Sequence, residues 1–267
     1  MGADVVSRFV VTGDRARQMR VVPAAVLKRL YMRSNKAGAV QTLAHFFLLV
    51  AGAVLIFETM GSWWVVPALV LQAVFINCLF GAMHESVHYG SFRTRWLADV
   101  LAFFSGAAIL NNAGFYRHYH LAHHRYTQDP KRDPELITSG TPDSWGRWLL
   151  AFYAVLLAGS IALHTTFLLW VWLIPLLIGA PLLRLYLLCE HTLCPNSDDG
   201  FANTRTTISN PIVRFLMWNL PYHAEHHLFP NIAFYRLPEA HQYLRPHLKF
   251  VAKGYVQVNR EIIKSFA

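Results

Sequence analysis

Long apolar stretches dominate the hydrophobic pattern of the chain. A helix needs about 20 apolar residues to cross the hydrocarbon core of a bilayer, and residues 37–60 and 63–83 both qualify. Only a Gly-Ser turn separates them. Residues 147–190 are too long for one crossing and divide near residues 164–166 into two further helices. The pattern therefore predicts an all-α integral membrane protein with four transmembrane helices, arranged as two hairpins.

A shorter apolar stretch, residues 97–110, is typical of an interfacial or re-entrant helix. If it does not cross the membrane, three segments share one side: residues 1–36, the loop 84–147 and residues 184–267. These contain 8, 7 and 9 Lys or Arg residues, which are all 24 in the chain. A crossing at 97–110 would lose this asymmetry, so we reject it.

The charge pattern also predicts sidedness and organisation. Basic loops gather on the cytoplasmic side of a membrane protein, which accounts for the net charge of +9 without a nucleic-acid partner. We expect both termini in the cytoplasm, at a bacterial inner membrane or the endoplasmic reticulum. Residues 1–36 form a basic N-terminal arm, expected to be solvated, and residues 37–267 form the membrane domain.

Three groups of histidines follow the predicted membrane segments on the same side. Positions i, i+3 and i+4 of a helix share a face, so each group presents two or three imidazoles to one point. His118 falls off this face and is expected to face solvent or to act indirectly. The groups are HESVH, HLAHH and HAEHH, with His84 and His88, then His120, His123 and His124, then His223, His226 and His227.

Eight neutral imidazoles exceed what one metal ion needs. A zinc site takes three or four ligands, and a mononuclear oxygenase iron takes two histidines and a carboxylate. Two irons with four or five nitrogens each fit the number, and together they can reduce O₂ to an oxidant that attacks a C–H bond. Near a bilayer such bonds belong to lipid-like chains. His191, at the cytoplasmic end of the last span, is either a ninth ligand or a capping or interface histidine.

Carboxylates close to these histidines are candidates to support them. A ligating histidine usually donates its second N–H to a carboxylate or a carbonyl. Glu85 and Glu225 could instead bind metal directly, and for each carboxylate a solvated charge is the alternative. The candidates are Glu85, Asp129, Asp133, Glu190 and Glu225. Four other histidines are set aside: His45 and His164 as lying within or across the membrane, and His241 and His247 as surface residues.

The three groups, in this order, resemble the histidine boxes of the membrane-bound fatty acid desaturase and hydroxylase superfamily. The flanking sequences HHRYTQDPKRDPE and NLPYHAEHHLFPNIAFYRLPEAH are similar as well, and the resemblance covers roughly residues 40–247. It implies a di-iron centre at the cytosolic face beneath four membrane helices. It also implies a reaction that uses O₂ and two external electrons.

The chain departs from relatives within that superfamily at two positions. Leu187 stands where acyl-CoA desaturases of the stearoyl type have an Asn, and His223 stands where front-end desaturases often have Gln. The sequence has no His-Pro-Gly-Gly haem motif, so electrons are expected from a separate ferredoxin, rubredoxin or cytochrome b5 type protein. The basic arm could attract anionic lipid or an acidic donor.

These observations together predict an O₂-dependent di-iron oxidoreductase that desaturates or hydroxylates a fatty acyl or lipid chain. A carotenoid or terpenoid hydroxylase of the same superfamily is the main alternative. A non-catalytic membrane metal- or haem-binding protein is a second, but only His45 lies well inside a span and the spans have almost no polar ligands. The expected partners are the membrane, a lipid-like substrate and the electron donor.

Overall fold

The computed structural model describes residues 20–137 and 144–266. Among the described residues, the helical elements include one π-helical turn, Leu169–Leu173, and one 3₁₀ turn, Phe234–Arg236. The α-helices are α1 Ala24–Leu30, α2 Asn35–Thr59, α3 Val65–Asn77, α4 Leu79–Val87, α5 Arg95–Ala108, α6 Ala113–Tyr126, α7 Ser144–Ala162, α8 Ile174–His191, α9 Pro211–Leu216, α10 His223–Leu228, α11 Leu237–Leu244 and α12 Tyr255–Lys264. The strands are β1 Thr206–Ile208 and β2 Val251–Lys253.

Within the described residues, three helical stretches are long and apolar enough to cross a membrane. They are Asn35–Thr59, Val65–Val87 and Leu169–His191, the last two being α3 with α4 and the π turn with α8. The apolar part of α7, Trp148–Ala162, is shorter. The break after Ala162 confirms the predicted division near residues 164–166. The fourth crossing and the sidedness stay predictions.

The predicted short helix at 97–110 is α5, and it bends sharply into α6. The two helices meet at 102°. The side chain of Asn112 accepts hydrogen bonds from the backbone N–H groups of Gly114 and Phe115, and so begins α6. At the end of α5, the carbonyls of residues 107 and 108 accept hydrogen bonds from Tyr153 Oη at 2.9 Å and Trp172 Nε1 at 2.6 Å. The second hairpin thereby fixes the bend that aims the second histidine group.

The membrane helices pack closely through a small residue and two buried amides. Asn77 donates to the carbonyl of Leu176 at 3.2 Å, and Gln72 donates to the carbonyl of Val171, in the π turn, at 3.1 Å. Opposite Asn77 lies Gly179, where a Cβ would come within 2.1 Å of the Asn77 amide nitrogen. Small residues allow such helix–helix approach in membranes, and polar side chains then bond across the contact.

A small sheet departs from the predicted all-α fold. Strands β1 and β2 pair in parallel, with Thr206 opposite Val251 and Ile208 opposite Lys253. Three-residue strands are too short to show the alternating pattern by which strands are recognised, and their partners are distant in sequence. The pair ties the segment before α9 to the start of α12.

The described part of the N-terminal arm packs against the rest of the protein through its apolar side chains. Val22 and Leu30 are buried against Phe229, Ile232 and Leu237 from the C-terminal region. The expectation of a solvated arm holds for the exposed basic residues Arg20, Lys28 and Lys36. It does not hold for the apolar positions between them, which cover the segment after the third histidine group. Residues 1–19 of the predicted arm lie outside the described residues.

Candidate metal centre

Four helices bring the nine predicted histidines into one buried assembly. The first group lies at the end of α4, where His84 is helical and His88 is the C-terminal cap. The second occupies the last turns of α6, the third begins α10, and His191 ends α8. Eight of the nine are at most 9% exposed, and His191 is half-buried.

Five of these histidines form what we call the first cluster. Their potential ligand atoms all lie within 4.8 Å of one another. The closest pairs join Nε2 atoms, at 2.8 Å between His84 and His226 and 2.9 Å between His120 and His124. The rings of His124 and His226 both lie 4.6 Å from the ring of His88. The first cluster comprises His84, His88, His120, His124 and His226.

The other four histidines form the second cluster. His123, His191 and His227 place their ligand atoms within 4.8 Å of one another. His191 Nε2 lies 3.2 Å from His123 Nε2 and 3.1 Å from His223 Nε2, which brings His223 into the same group. The structure thus places His191 between ligand candidates, not at an unrelated interface.

The second and third boxes are divided between the clusters by helix periodicity. In α6, the i, i+4 pair His120 and His124 enters the first cluster and His123 enters the second. In α10 the pair His223 and His227 enters the second cluster, while His226 enters the first. Residues at i and i+4 share a face and the residue at i+3 lies beside it, so one short helix serves two neighbouring sites.

Hydrogen bonds at Nδ1 determine which nitrogen of each second-cluster ring can bind metal. His123 Nδ1 donates to Asp133 Oδ1 at 2.8 Å, and His191 Nδ1 donates to the Asn203 carbonyl at 3.2 Å. His227 Nδ1 donates to the hydroxyl oxygen of Thr127 at 3.2 Å, since that hydroxyl itself donates to a backbone carbonyl. A neutral imidazole has one N–H, so the three Nε2 atoms face each other as lone pairs.

This donor set fits a metal ion. At a metal–nitrogen distance of about 2.1 Å, ligands at right angles lie about 3.0 Å apart, close to the observed Nε2 separations of 2.8–3.2 Å. Among the described residues, the buried Nε2 atoms of His88 and His227 have no hydrogen-bond partner. Lone pairs converging without protons are satisfied by a cation, and imidazole suits iron.

Tyr116 supports the first cluster and was not predicted from the sequence. Its hydroxyl lies 3.3 Å from His84 Nδ1 and 3.4 Å from His120 Nδ1, and its ring stacks on the ring of His120. One oxygen thus links histidines from two boxes. The sequence feature that points to Tyr116 is its position four residues before His120, which places both residues on the same helix face.

Three of the five predicted carboxylates lie beside histidines of the clusters. Asp133 contacts His123, as described above. Glu85 Oε1 lies 3.5 Å from His226 Nδ1, and Glu190 Oε1 lies 3.5 Å from His223 Nδ1. Both carboxylates therefore approach the nitrogen that faces away from the cluster, the position of a supporting group.

Two other carboxylates lie elsewhere. Glu225 contacts His241 and Thr206, and its contacts in the described part of the chain include none of the nine histidines. The reason is periodicity, because Glu225 lies two residues after His223 and so faces the opposite side of α10. His241, expected at the surface, is half-buried by this contact. Asp129 pairs with Arg132 at the surface.

The remaining histidines stay apart from the assembly. His118 is exposed, as its position on the helix predicts, and His164 is exposed at the tip of the second hairpin. His45 is buried within α2, with Nε2 2.9 Å from the Phe75 carbonyl. His247 is exposed.

Burial sets the charge of the assembly. Burial first, and repulsion from neighbouring imidazoles second, lower the pKa of His223 and His227 well below the ordinary value. Burial alone would raise the pKa of Asp133, but hydrogen bonds from His123 and from the backbone of residues 135 and 128 lower it. Neutral imidazoles and an ionised carboxylate are the protonation states that metal binding requires.

The two sides of the assembly differ in polarity. A polar cleft of about 660 Å³ reaches His124 and His227 between residues 125–132 and 196–203. Away from this cleft, beside His84, an apolar cluster contains Phe80 and Met83, with Leu187 packed against it. The centre therefore lies between a water-accessible opening and apolar packing between helices.

Comparison with protein families finds a match that includes the histidine boxes. The family model described as Fatty acid desaturase matches residues 61–163 and 141–259. These two segments include all nine histidines of the two clusters. No curated protein matches the sequence significantly.

Proposed function

Because the chain belongs to the fatty acid desaturase family, we propose that it is an O₂-dependent di-iron oxidoreductase that desaturates or hydroxylates a fatty acyl or lipid chain in the membrane. The observation that carries this proposal is the convergence of two buried histidine clusters at the ends of apolar helices long enough to span a bilayer.

The first cluster would hold one iron through five imidazoles, and the second cluster would hold the other through His123, His191, His223 and His227. Bound iron supplies the redox chemistry with which O₂ attacks an unactivated C–H bond. The protein's own contribution is orientation. Asp133, Thr127 and the Asn203 carbonyl hold the Nδ1 hydrogens and so point the Nε2 lone pairs inward.

The apolar cluster beside His84 is the proposed contact surface for the substrate chain. Phe80, Met83 and Leu187 carry no hydrogen-bonding group, so a hydrocarbon segment placed against them would meet only apolar side chains. Desaturation and hydroxylation both begin with removal of a hydrogen, and the position of the substrate carbon decides between them.

The polar cleft is the proposed route for electrons and protons. It exposes edges of both clusters to solvent through His124 and His227. Arg125 and Lys131 on its rim are exposed, which favours a separate acidic donor of the ferredoxin, rubredoxin or cytochrome b5 type. The positive-inside distribution supports a cytoplasmic location for this cleft.

Two measurements test the function. Mass spectrometry of lipids extracted from cells with and without the gene should show a new double bond or hydroxyl in acyl chains, whereas a change confined to carotenoids would establish the alternative hydroxylase. The purified protein should contain about two irons and show no haem Soret band. A protein that holds only one exchangeable metal would refute the proposed di-iron enzyme. Full activity of the His124→Ala and His227→Ala proteins would refute it as well.

A further inference from the structure

Glu135 approaches the second cluster from a direction that no other carboxylate takes. Its Oε2 lies 3.7 Å from His123 Nε2, the nitrogen that faces the cluster. Asp133, Glu85 and Glu190 approach Nδ1 atoms instead. A carboxylate at the Nδ1 side of an imidazole orients the ring, whereas a carboxylate beside the ligating Nε2 can bind the same metal ion as that nitrogen.

The backbone holds Glu135 in this position. Its N–H donates to Asp133 Oδ1 at 3.0 Å, so the same carboxylate oxygen binds both Glu135 and the His123 ring. The next two N–H groups, of Leu136 and Ile137, both donate to the Asp133 carbonyl at 3.0 Å. Pro134, between the two acids, restricts the turn further. The position of Glu135 is thus coupled to that of His123.

The position of the His123 proton leaves a lone pair on the nitrogen that faces Glu135. The single N–H of neutral His123 is at Nδ1 and is directed to Asp133, so Nε2 presents a lone pair to the Glu135 carboxylate. His191 Nε2 presents another lone pair 3.2 Å from His123 Nε2. Among the described residues, no Lys or Arg forms an ion pair with Glu135. The Glu135 carboxylate and the lone pair of His123 Nε2 face each other without a donor between them, and two such acceptors repel one another unless they share a cation.

The distance between Glu135 Oε2 and His123 Nε2 also suits coordination of one metal ion by both atoms. Two ligands about 2.1 Å from a metal and about 120° apart are separated by about 3.6 Å, against the 3.7 Å from Glu135 Oε2 to His123 Nε2. We propose that Glu135 is a carboxylate ligand of the metal held by the second cluster. This rests on the proposed di-metal function and makes the two metals unequal, with five imidazoles at one and four imidazoles and a carboxylate at the other.

Glu135→Gln in the full-length, iron-loaded protein tests the proposal, with Asp129→Asn as the matched control. Asp129 is in the same loop and carries the same charge, but it pairs with Arg132. In the Glu135→Gln protein, the Mössbauer signal of one of the two irons should change and iron release to a chelator should quicken at least tenfold for that iron alone. The control should match the wild type in both measurements.

The outcomes separate this proposal from the proposed function. A wild-type protein that binds two irons and oxidises lipid, with an unchanged spectrum and release rate in Glu135→Gln, would overturn only the ligand role of Glu135. A wild-type protein without two bound metals would overturn the function itself. If Glu135→Gln does not fold, Glu135→Asp, which keeps the charge but withdraws the oxygens by one methylene, must show the same one-iron change.

Discussion

Replacing Asp133 by asparagine tests whether the orientation of His123 controls metal binding. The carboxylate is 1% exposed and accepts three hydrogen bonds: His123 Nδ1 at 2.8 Å and Glu135 N at 3.0 Å on Oδ1, and Gln128 N at 2.7 Å on Oδ2. Since its pKa is lowered, the group is ionised at neutral pH and each bond is charge-assisted.

The free-energy cost of Asp133→Asn follows from the number of acceptor oxygens that remain in the side chain. An asparagine has one oxygen, so its NH₂ group must face at least one of the three N–H donors. A buried donor left without an acceptor costs about 1–3 kcal/mol, which is roughly a 5- to 140-fold change in an equilibrium constant. Loss of a group that orients a ligating histidine lowers metal affinity by about 10- to 100-fold, so both arguments give the same range.

Competition with a chelator measures the metal affinity of each site in purified Asp133→Asn protein, and thermal unfolding with and without metal measures stability. We expect weaker binding of one metal and a lower melting temperature, with the Asp129→Asn control unchanged. If Asp133→Asn binds both metals as tightly as the wild type, then the bond to His123 does not orient a ligand and the proton arrangement derived for the second cluster is wrong.

Three further substitutions, together with one control, test other contacts. In Gly90→Ala the new Cβ would lie 2.7 Å from Glu85 Oε2, so thermal unfolding should show a destabilisation of about 1–3 kcal/mol; an unchanged melting temperature would mean that this carboxylate moves freely. Tyr116→Phe removes the acceptor between two imidazoles and should speed metal release from the first cluster only, whereas equal release from both sites would contradict its placement. Gly179→Ala should lower thermal stability because of its close helix contact, and Gly159→Ala, with no atom within 4 Å of its Cβ, should not.

Local periodicity made the histidine assembly predictable. The spacing of His120, His123 and His124 was enough to expect one helical face, and the same rule correctly excluded His118. The same rule places Glu225 on the opposite side of α10. Its proximity in sequence to His223 and His226 therefore does not bring it to the clusters, and it contacts His241 and Thr206 instead.

Other features depend on contacts between distant segments and left no local signal. Periodicity separates the two faces of each box, but which cluster each face joins depends on the relative orientation of α4, α6, α8 and α10. The β1–β2 pair joins three-residue strands, and the burial of Val22 and Leu30 depends on the C-terminal region. The spans themselves were predictable, because a bilayer demands long apolar helices wherever they pack.

The division of the third box also bears on how the protein is made. The first cluster lacks His226, and the second lacks His223 and His227, until α10 has been synthesised. The histidines of α4 and α6 therefore leave the ribosome before their partners, with α7 and α8 synthesised in between. A nascent protein stalled before α10 carries neither complete cluster, so a metal that needs the full set of ligands could not be held before α10 is made.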